Sequence, residues 1–325
     1  MKAWRVHEFG PYRDALVWED APDPDLLGPE SSVIQIAAAG VNFPDVLFIQ
    51  GEYQIKPPLP FIPGIEAVGT VVEVGDSCKY QVGDRIVTSG IGAFAEKMAA
   101  LDSMTFKVPD AMTDVDAAAI RIIYETSYMA IKYKANMQRG EVLLVHGGAG
   151  GVGTSAIQVG KALKGTVIAT ATGERDIQVC YDTGADYVID WKSEDIVARV
   201  KEITEGKGAN VIYDPVGGDA FDASTHCIAF EGRLIVIGFA SGRIPEIKAH
   251  LILNKNMSVM GFFWTNYLLN RPDLVDDYQK EINLLYLEGK FRPVVSKVLP
   301  MTELPETLDH ITGRDAYGKI VLVNE

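Results

Sequence analysis

The sequence predicts an α/β protein built from a doubly wound parallel sheet and a smaller, irregular β-barrel. Three observations carry that reading. Residues 146–153 run His-Gly-Gly-Ala-Gly-Gly-Val-Gly, directly after the apolar stretch Val142-Leu143-Leu144-Val145 and directly before a helix-like segment. A helix N-terminus carries unpaired N–H groups and a partial positive charge. Glycines let the pyrophosphate of a dinucleotide come close enough to use them. Gly147, Gly150 and Gly153 form a G-x-x-G-x-x-G version of the usual G-x-G-x-x-G,. The second observation is the alternation that follows, in which short apolar runs are separated by helix-length segments, as in strands buried on both faces. The third is the texture of the first 110 or so residues, broken by Pro and Gly into short β-branched segments,.

Taken along the chain, Val33-Ile34-Gln35-Ile36, Ala67 to Val74 and Asp84-Arg85-Ile86-Val87 read as barrel strands, with turns at Gly75-Asp76 and Val82-Gly83-Asp84. After the glycine loop, Val152, Ala156, Val159 and Leu163 step by four, three and four, the stripe of a helix packed on a sheet,. Gly165 stands where a C-cap glycine belongs,. Val167-Ile168-Ala169, Tyr187-Val188-Ile189, Val211-Ile212-Tyr213 and Leu234 to Ile237 are the following strands. Leu274 to Leu287 reads as a helix ended by Gly289. Val294-Val295, Pro305 to Ile311 and Ile320 to Val323 resume a β, α, β pattern, which returns the tail to the first domain.

At 325 residues two domains are expected,. Hydrophobic residues make up 47%, enough for sizeable cores. The net charge of −14 opposes binding to phosphate backbones and so excludes broad nucleic-acid recognition,. Cys78, Cys180 and Cys227 are odd in number and far apart, which argues against a disulfide framework,. The opening Met1 to Glu8 lacks the apolar core of a signal peptide, and no apolar run approaches membrane-spanning length,. A cytoplasmic protein with no membrane partner is expected.

Five ordered motifs then carry a resemblance across essentially the whole chain. They are Gly40-Val41-Asn42-Phe43-Pro44-Asp45, Pro63 to Gly69, Val82-Gly83-Asp84-Arg85-Ile86, the 146–153 loop, and Tyr213-Asp214-Pro215-Val216-Gly217-Gly218. The chain resembles the medium-chain dehydrogenase/reductase superfamily, and within it the zinc-independent, zeta-crystallin-like NADPH:quinone oxidoreductases. The resemblance implies a GroES-like β-barrel catalytic domain (1–124 and 265–325) and a Rossmann nucleotide-binding domain (125–264). It also implies a homodimer, by edge pairing near Met257 to Gly261. In the alcohol dehydrogenase branch a Cys and a His bind zinc where this chain has Asn42 and Ile65. Neither side chain is a thiolate or imidazole ligand, and no metal is expected. Without a Lewis acid to stabilise an alkoxide, the implied reaction is hydride transfer to an electron-poor acceptor, a quinone or another α,β-unsaturated carbonyl.

The resemblance assigns Asn42 to orienting the nicotinamide or the acceptor oxygen, the alternative being a turn-stabilising Asn. Tyr53 falls where related enoyl-thioester reductases carry a proton donor; otherwise it is a lining aromatic. Asp45, Phe262 and Trp264 are candidates for the acceptor pocket, with structural roles as the alternative. The cofactor set comprises Tyr124, Thr126, Gly147, Gly148, Ala149, Gly150, Gly151, Val152, Gly153, Thr172, Arg175, Trp191, Gly238, Phe239 and Phe263. The second strand ends Thr170-Ala171-Thr172-Gly173 without the acid that would hold a ribose 2′-hydroxyl,. Arg175 is well shaped for a 2′-phosphate, so NADPH is favoured over NADH, although Glu174 and Asp176 flank that arginine. An enoyl-thioester reductase and a non-catalytic nucleotide-binding or structural protein are the alternatives.

Overall fold

The computed structural model describes residues 1–313 and 316–324. By the packing of its backbone the chain divides into Met1–Ile122 with Val295–Glu325, and Ile123–Val294. The expected second boundary at 264/265 therefore differs from the observed one. Residues 265–294 belong with the nucleotide unit because the helix Pro272–Leu287 brings Tyr278 edge-on to Tyr128, with ring centroids 5.6 Å apart. Phe291, just beyond that helix, packs edge-on against Tyr128 as well, again at 5.6 Å.

The first unit is organised on one long strand, Ser31–Val41. The sequence shows only its β-branched start, because Ala37-Ala38-Ala39-Gly40 has no β-branched residue. Along one edge it pairs antiparallel with Glu66–Val74. Along the other it pairs first with Lys97–Leu101 and then with Lys319–Val323. Register shifts at Val33/Ile34 and Ile36/Ala38 bend the strand, as bulges do, and the sheet curls around a core of Ile34, Ile36, Ile86, Phe94 and Leu322. Gly69 is needed here: a Cβ would lie 2.1 Å from the Gln35 carbonyl oxygen. The sheet continues through Arg85–Ser89 and Thr105–Lys107, and on its other side through Val295–Pro300. A separate hairpin, Lys2–Val6 with Leu16–Asp20, has no counterpart in the sequence reading.

The second unit is a six-stranded sheet, parallel throughout. Its order is Tyr187–Asp190, Thr166–Ala171, Val142–Val145, Ala209–Asp214, Ile228–Val236, Ser258–Gly261. Numbered along the unit this is 3-2-1-4-5-6, the doubly wound dinucleotide-binding order with its switch point at the first strand. The helix Gly151–Ala162 follows the glycine loop directly. Its end differs from expectation. Lys164 takes the left-handed conformation at φ +63°, whereas Gly165 lies close to the Glu141 carbonyl oxygen, 3.0 Å from where a Cβ would stand, and close to the flexible end of Met137. Among the described residues no helix is long and apolar enough to cross a membrane.

Candidate functional site

The glycine loop leaves several amides outside the helical ladder at the switch point. Gly147 has φ +62°, and its N–H donates to Thr170 Oγ1 at 3.3 Å. Gly148 N–H donates to the Thr170 carbonyl at 2.8 Å, and Gly150 N–H to the Gly147 carbonyl at 3.0 Å. The helical ladder begins only with Thr154 N–H to the Gly150 carbonyl at 2.8 Å. The amides of Gly151, Val152 and Gly153 therefore precede the ladder, at the positive end of the helix dipole. Gly148 and Gly153 are glycine for space. A Cβ on Gly153 would sit 2.1 Å from the Gly147 carbonyl oxygen, and one on Gly148 would sit 2.8 Å from Ala169 and Cys180. Gly150 is open, its nearest neighbour 3.4 Å away. Three amides around a glycine turn suit an anion such as a pyrophosphate.

His146 braces this loop from beneath, a role the sequence reading did not assign. The ring is fully buried, which pushes its pKa down and keeps it neutral. Ser224 Oγ donates to the Ala220 carbonyl, so at 2.8 Å it must accept from His146 Nε2–H. That leaves Nδ1 to accept from the Thr170 hydroxyl at 3.2 Å. Asp214, at the end of the next strand, accepts from Val216 N–H at 2.8 Å and Gly217 N–H at 2.9 Å, tying down the Gly217–Gly218 turn.

The other residues expected near a nucleotide are dispersed over this unit. Tyr124 is wholly buried, donating to Gln158 at 2.7 Å and packing on Phe291 at 4.9 Å; Thr126 is nearly buried. Thr172 hydrogen-bonds to Asp190. That carboxylate, at the end of the third strand, went unremarked in the sequence because it is not on the second. Ser193, the Lys192 N–H and Thr172 hold its pKa below the usual range. Arg175 and Trp191 are exposed; Arg175 pairs with Asp176 at 2.8 Å, and the Lys192 ammonium lies 5.6 Å from the Trp191 ring. Gly238 and Phe239 follow the fifth strand, with Phe239 exposed. Phe262 is buried and stacked on Tyr267 at 4.9 Å, Phe263 is half-buried, and Trp264 donates to Glu125 at 2.6 Å.

In the first unit, Asn42 precedes the helix Phe43–Gln50. Its backbone N–H donates to Asp45 Oδ2 at 2.7 Å, the carboxylate half of a capping box. The amide also reaches beyond the helix: Nδ2 donates to Glu66 Oε1 at 2.8 Å and Oδ1 accepts from Lys319 at 2.7 Å. Tyr53 is half-buried with its ring 4.3 Å from that of Phe48. Asp45 is fully buried and accepts from the Asn42 backbone N–H. Burial pushes its carboxyl up to about 8, against the lowering effects of the Asn42 N–H and Lys319, with Glu66 raising it further.

That displacement makes a signed prediction. Unfolded, Asp45 ionises near 3.8; folded, near 8. Between these the unfolded chain has released a proton that the folded chain keeps, so rising pH removes stability, by at most about 1.4 kcal/mol per unit. Asp45→Asn should abolish this slope. Thermal unfolding from pH 5 to pH 8 is expected to show the variant gaining on the native chain as pH rises. Parallel curves would mean that Asp45 does not titrate in this range.

Two family models match the chain: the alcohol dehydrogenase GroES-like domain over residues 28–110, and the zinc-binding dehydrogenase over residues 151–285. Among the described residues no three of His, Cys, Asp and Glu gather as a metal site. The quinone oxidoreductase-like protein 2 homolog of Nematostella vectensis is 35% identical over 99% of this chain and 89% of its own length. A mycobacterial protein complexed with NADPH has a TM-score of 0.92 at 31% identity, covering 99% of each chain. Escherichia coli quinone oxidoreductase, also complexed with NADPH, has a TM-score of 0.92 at 27% identity over 99% of this chain and 100% of its own. With a GroES-like unit, a 3-2-1-4-5-6 parallel sheet and a relative of this identity along almost its full length, the chain belongs to the quinone oxidoreductase-like proteins of the medium-chain dehydrogenase/reductase superfamily.

Proposed function

We propose that this chain is an oxidoreductase that takes hydride from NADPH and delivers it, without a metal, to a quinone or another α,β-unsaturated carbonyl. The observation that carries the reading is the loop at 146–153, whose glycine turn leaves three amides ahead of the helical ladder. NADPH, when bound, supplies the hydride; that cradle fits its pyrophosphate, and a Cβ at Gly148 or Gly153 would clash with the atoms that give the loop its shape,. Two relatives of the same fold are described as NADPH complexes. The exposed Arg175, now paired with Asp176, would hold the 2′-phosphate, with Thr172 and Trp191 as further cofactor residues. Gly238, Phe239 and Phe263 complete the cofactor contacts. The acceptor oxygen is met by the Asn42 amide, and Tyr53 supplies the proton. An alkoxide-forming alcohol oxidation would need a Lewis acid, and an amide at 42 with an isoleucine at 65 cannot supply one with its ligands,. The enzyme acts as a homodimer paired along the Ser258–Gly261 edge, in the cytoplasm.

Cofactor consumption is followed by nicotinamide absorbance with NADPH and NADH against quinones, enones and enoyl thioesters, with and without chelator. Turnover of NADPH with a quinone or enone, undiminished by chelation, is expected. Turnover confined to thioesters would replace this reading with an enoyl-thioester reductase. NADPH at 100 times its dissociation constant should add about 2.7 kcal/mol of stability. A chain that neither gains that stability nor consumes cofactor is not an oxidoreductase.

A further inference from the structure

Lys319 lies in the buried heart of the first unit, and no motif points to it. It opens the strand Lys319–Val323, and the pairing of Ile320 with Val41 brings it opposite Asn42. Its side chain is 3% exposed and that of Glu66 is 0% exposed. An ammonium withdrawn from water is tolerable only when its donors are met. Here all three are: the Val41 carbonyl accepts at 3.0 Å, Asn42 Oδ1 at 2.7 Å, and Glu66 Oε1 closes the set. Glu66 is satisfied in turn by Asn42 Nδ2 at 2.8 Å and, on Oε2, by Ile122 N–H at 3.1 Å.

The Asn42 amide is thereby gripped at both ends. Flipping it would set its oxygen against the Glu66 carboxylate and its NH₂ against the ammonium. A cation on Oδ1 also withdraws charge from the amide and makes Nδ2–H a stronger donor. One Nδ2 hydrogen goes to Glu66; for the other, among the described residues, the contact is the Gly40 carbonyl at 3.3 Å. That long contact is the one an acceptor oxygen would displace.

We infer that Lys319 is the positioning residue for Asn42, holding the amide in its donating orientation toward the oxygen that gains charge as hydride arrives. The inference rests on the assignment of Asn42 to the acceptor. The test separates the hydrogen bond from the charge by working in a Glu66→Gln background. There Lys319→Gln and Lys319→Met are both neutral and of similar length, and only Gln can donate to Asn42. Steady-state kinetics with NADPH and a quinone are expected to show kcat at least about tenfold lower for the Met double variant than for the Gln one. KM for NADPH should be equal in the two. Equal kcat would overturn the inference and leave Lys319 as an ion-pair partner alone. If the double variants do not fold, the same Gln-against-Met comparison is made with Glu66 retained, scored as kcat per NADPH-binding molecule. A native chain that turns over no quinone or enone sinks the functional reading and this inference with it. Turnover without a Gln–Met difference sinks this inference only.

Discussion

Gly153→Ala is expected to lose about 3 kcal/mol of stability and to weaken NADPH binding on the order of 100-fold. The new methyl would lie 2.1 Å from the Gly147 carbonyl oxygen and 2.8 Å from Gly148 backbone carbon. Those are backbone atoms, so no rotamer change can relieve the clash. Either the helix Gly151–Ala162 retreats from the loop or the Gly147 turn opens. Both movements spoil the alignment of the amides of 151–153, and each charge-assisted contact to a phosphate contributes about 1.5–3 kcal/mol. Gly150→Ala is the control. Its Cβ would meet nothing closer than 3.4 Å, and its φ of −72° is ordinary for any residue. The control should unfold within a degree or two of the native chain, by about 0.5 kcal/mol or less. Differential scanning calorimetry and NADPH titration of the pair decide the matter. Indistinguishable Tm and affinity for Gly153→Ala and the native chain would show that loop and helix do not approach as closely as described.

Phe291→Ala should cost about 3–5 kcal/mol, lowering Tm by roughly 10 °C. The ring is fully buried, 4.9 Å from that of Tyr124 and 5.6 Å from that of Tyr128. Its removal leaves a cavity that the surrounding helices cannot close without moving. A second consequence reaches the nucleotide unit's polar network. Gln158 receives the Tyr124 hydroxyl at 2.7 Å and the Arg292 N–H at 2.8 Å, and it donates to the Arg292 carbonyl at 2.8 Å. Residue 291 thus anchors the segment that Gln158 holds, and Gln158 stands on the helix that begins at the glycine loop. Thermal unfolding should fall in the apo chain and recover in part with saturating NADPH. A loss under 1 kcal/mol would mean that the site collapses around the gap.

Much of the fold was legible because it rests on local rules. Val142–Val145, Thr166–Ala171, Tyr187–Asp190 and Ala209–Asp214 all contain the apolar runs read as strands. Burial on both faces leaves an interior parallel strand few polar positions, and such runs stand out; Tyr187–Asp190, at the sheet edge, exposes Tyr187. The glycine loop was legible for the same kind of reason, since close backbone approach admits no other residue. Less visible were the Ser31–Val41 strand beyond Ile36, where alanines fill a bend, and the hairpin of the first twenty residues. At the helix end, Gly165 suggested a cap, but the left-handed residue is Lys164, which cap geometry alone could not reveal.

The sequence by itself determined the α/β class with its doubly wound sheet and the glycine turn, which depend on periodicity and on glycines at fixed spacing, while five ordered motifs carried the family,. The strand order came only from the structure. Only the tertiary structure decided what surrounds Asn42. Lys319 is separated from it by 277 residues, and a lone lysine in a strand carries no local signal of its partner. The same holds for His146, whose neutrality and tautomer follow from Thr170 and Ser224 on other elements. Asp45 is a third case, its titration set by burial rather than by its neighbours in the chain. Charge, burial and hydrogen bonding are properties of what is brought together in space, and the chain states them only once it has folded.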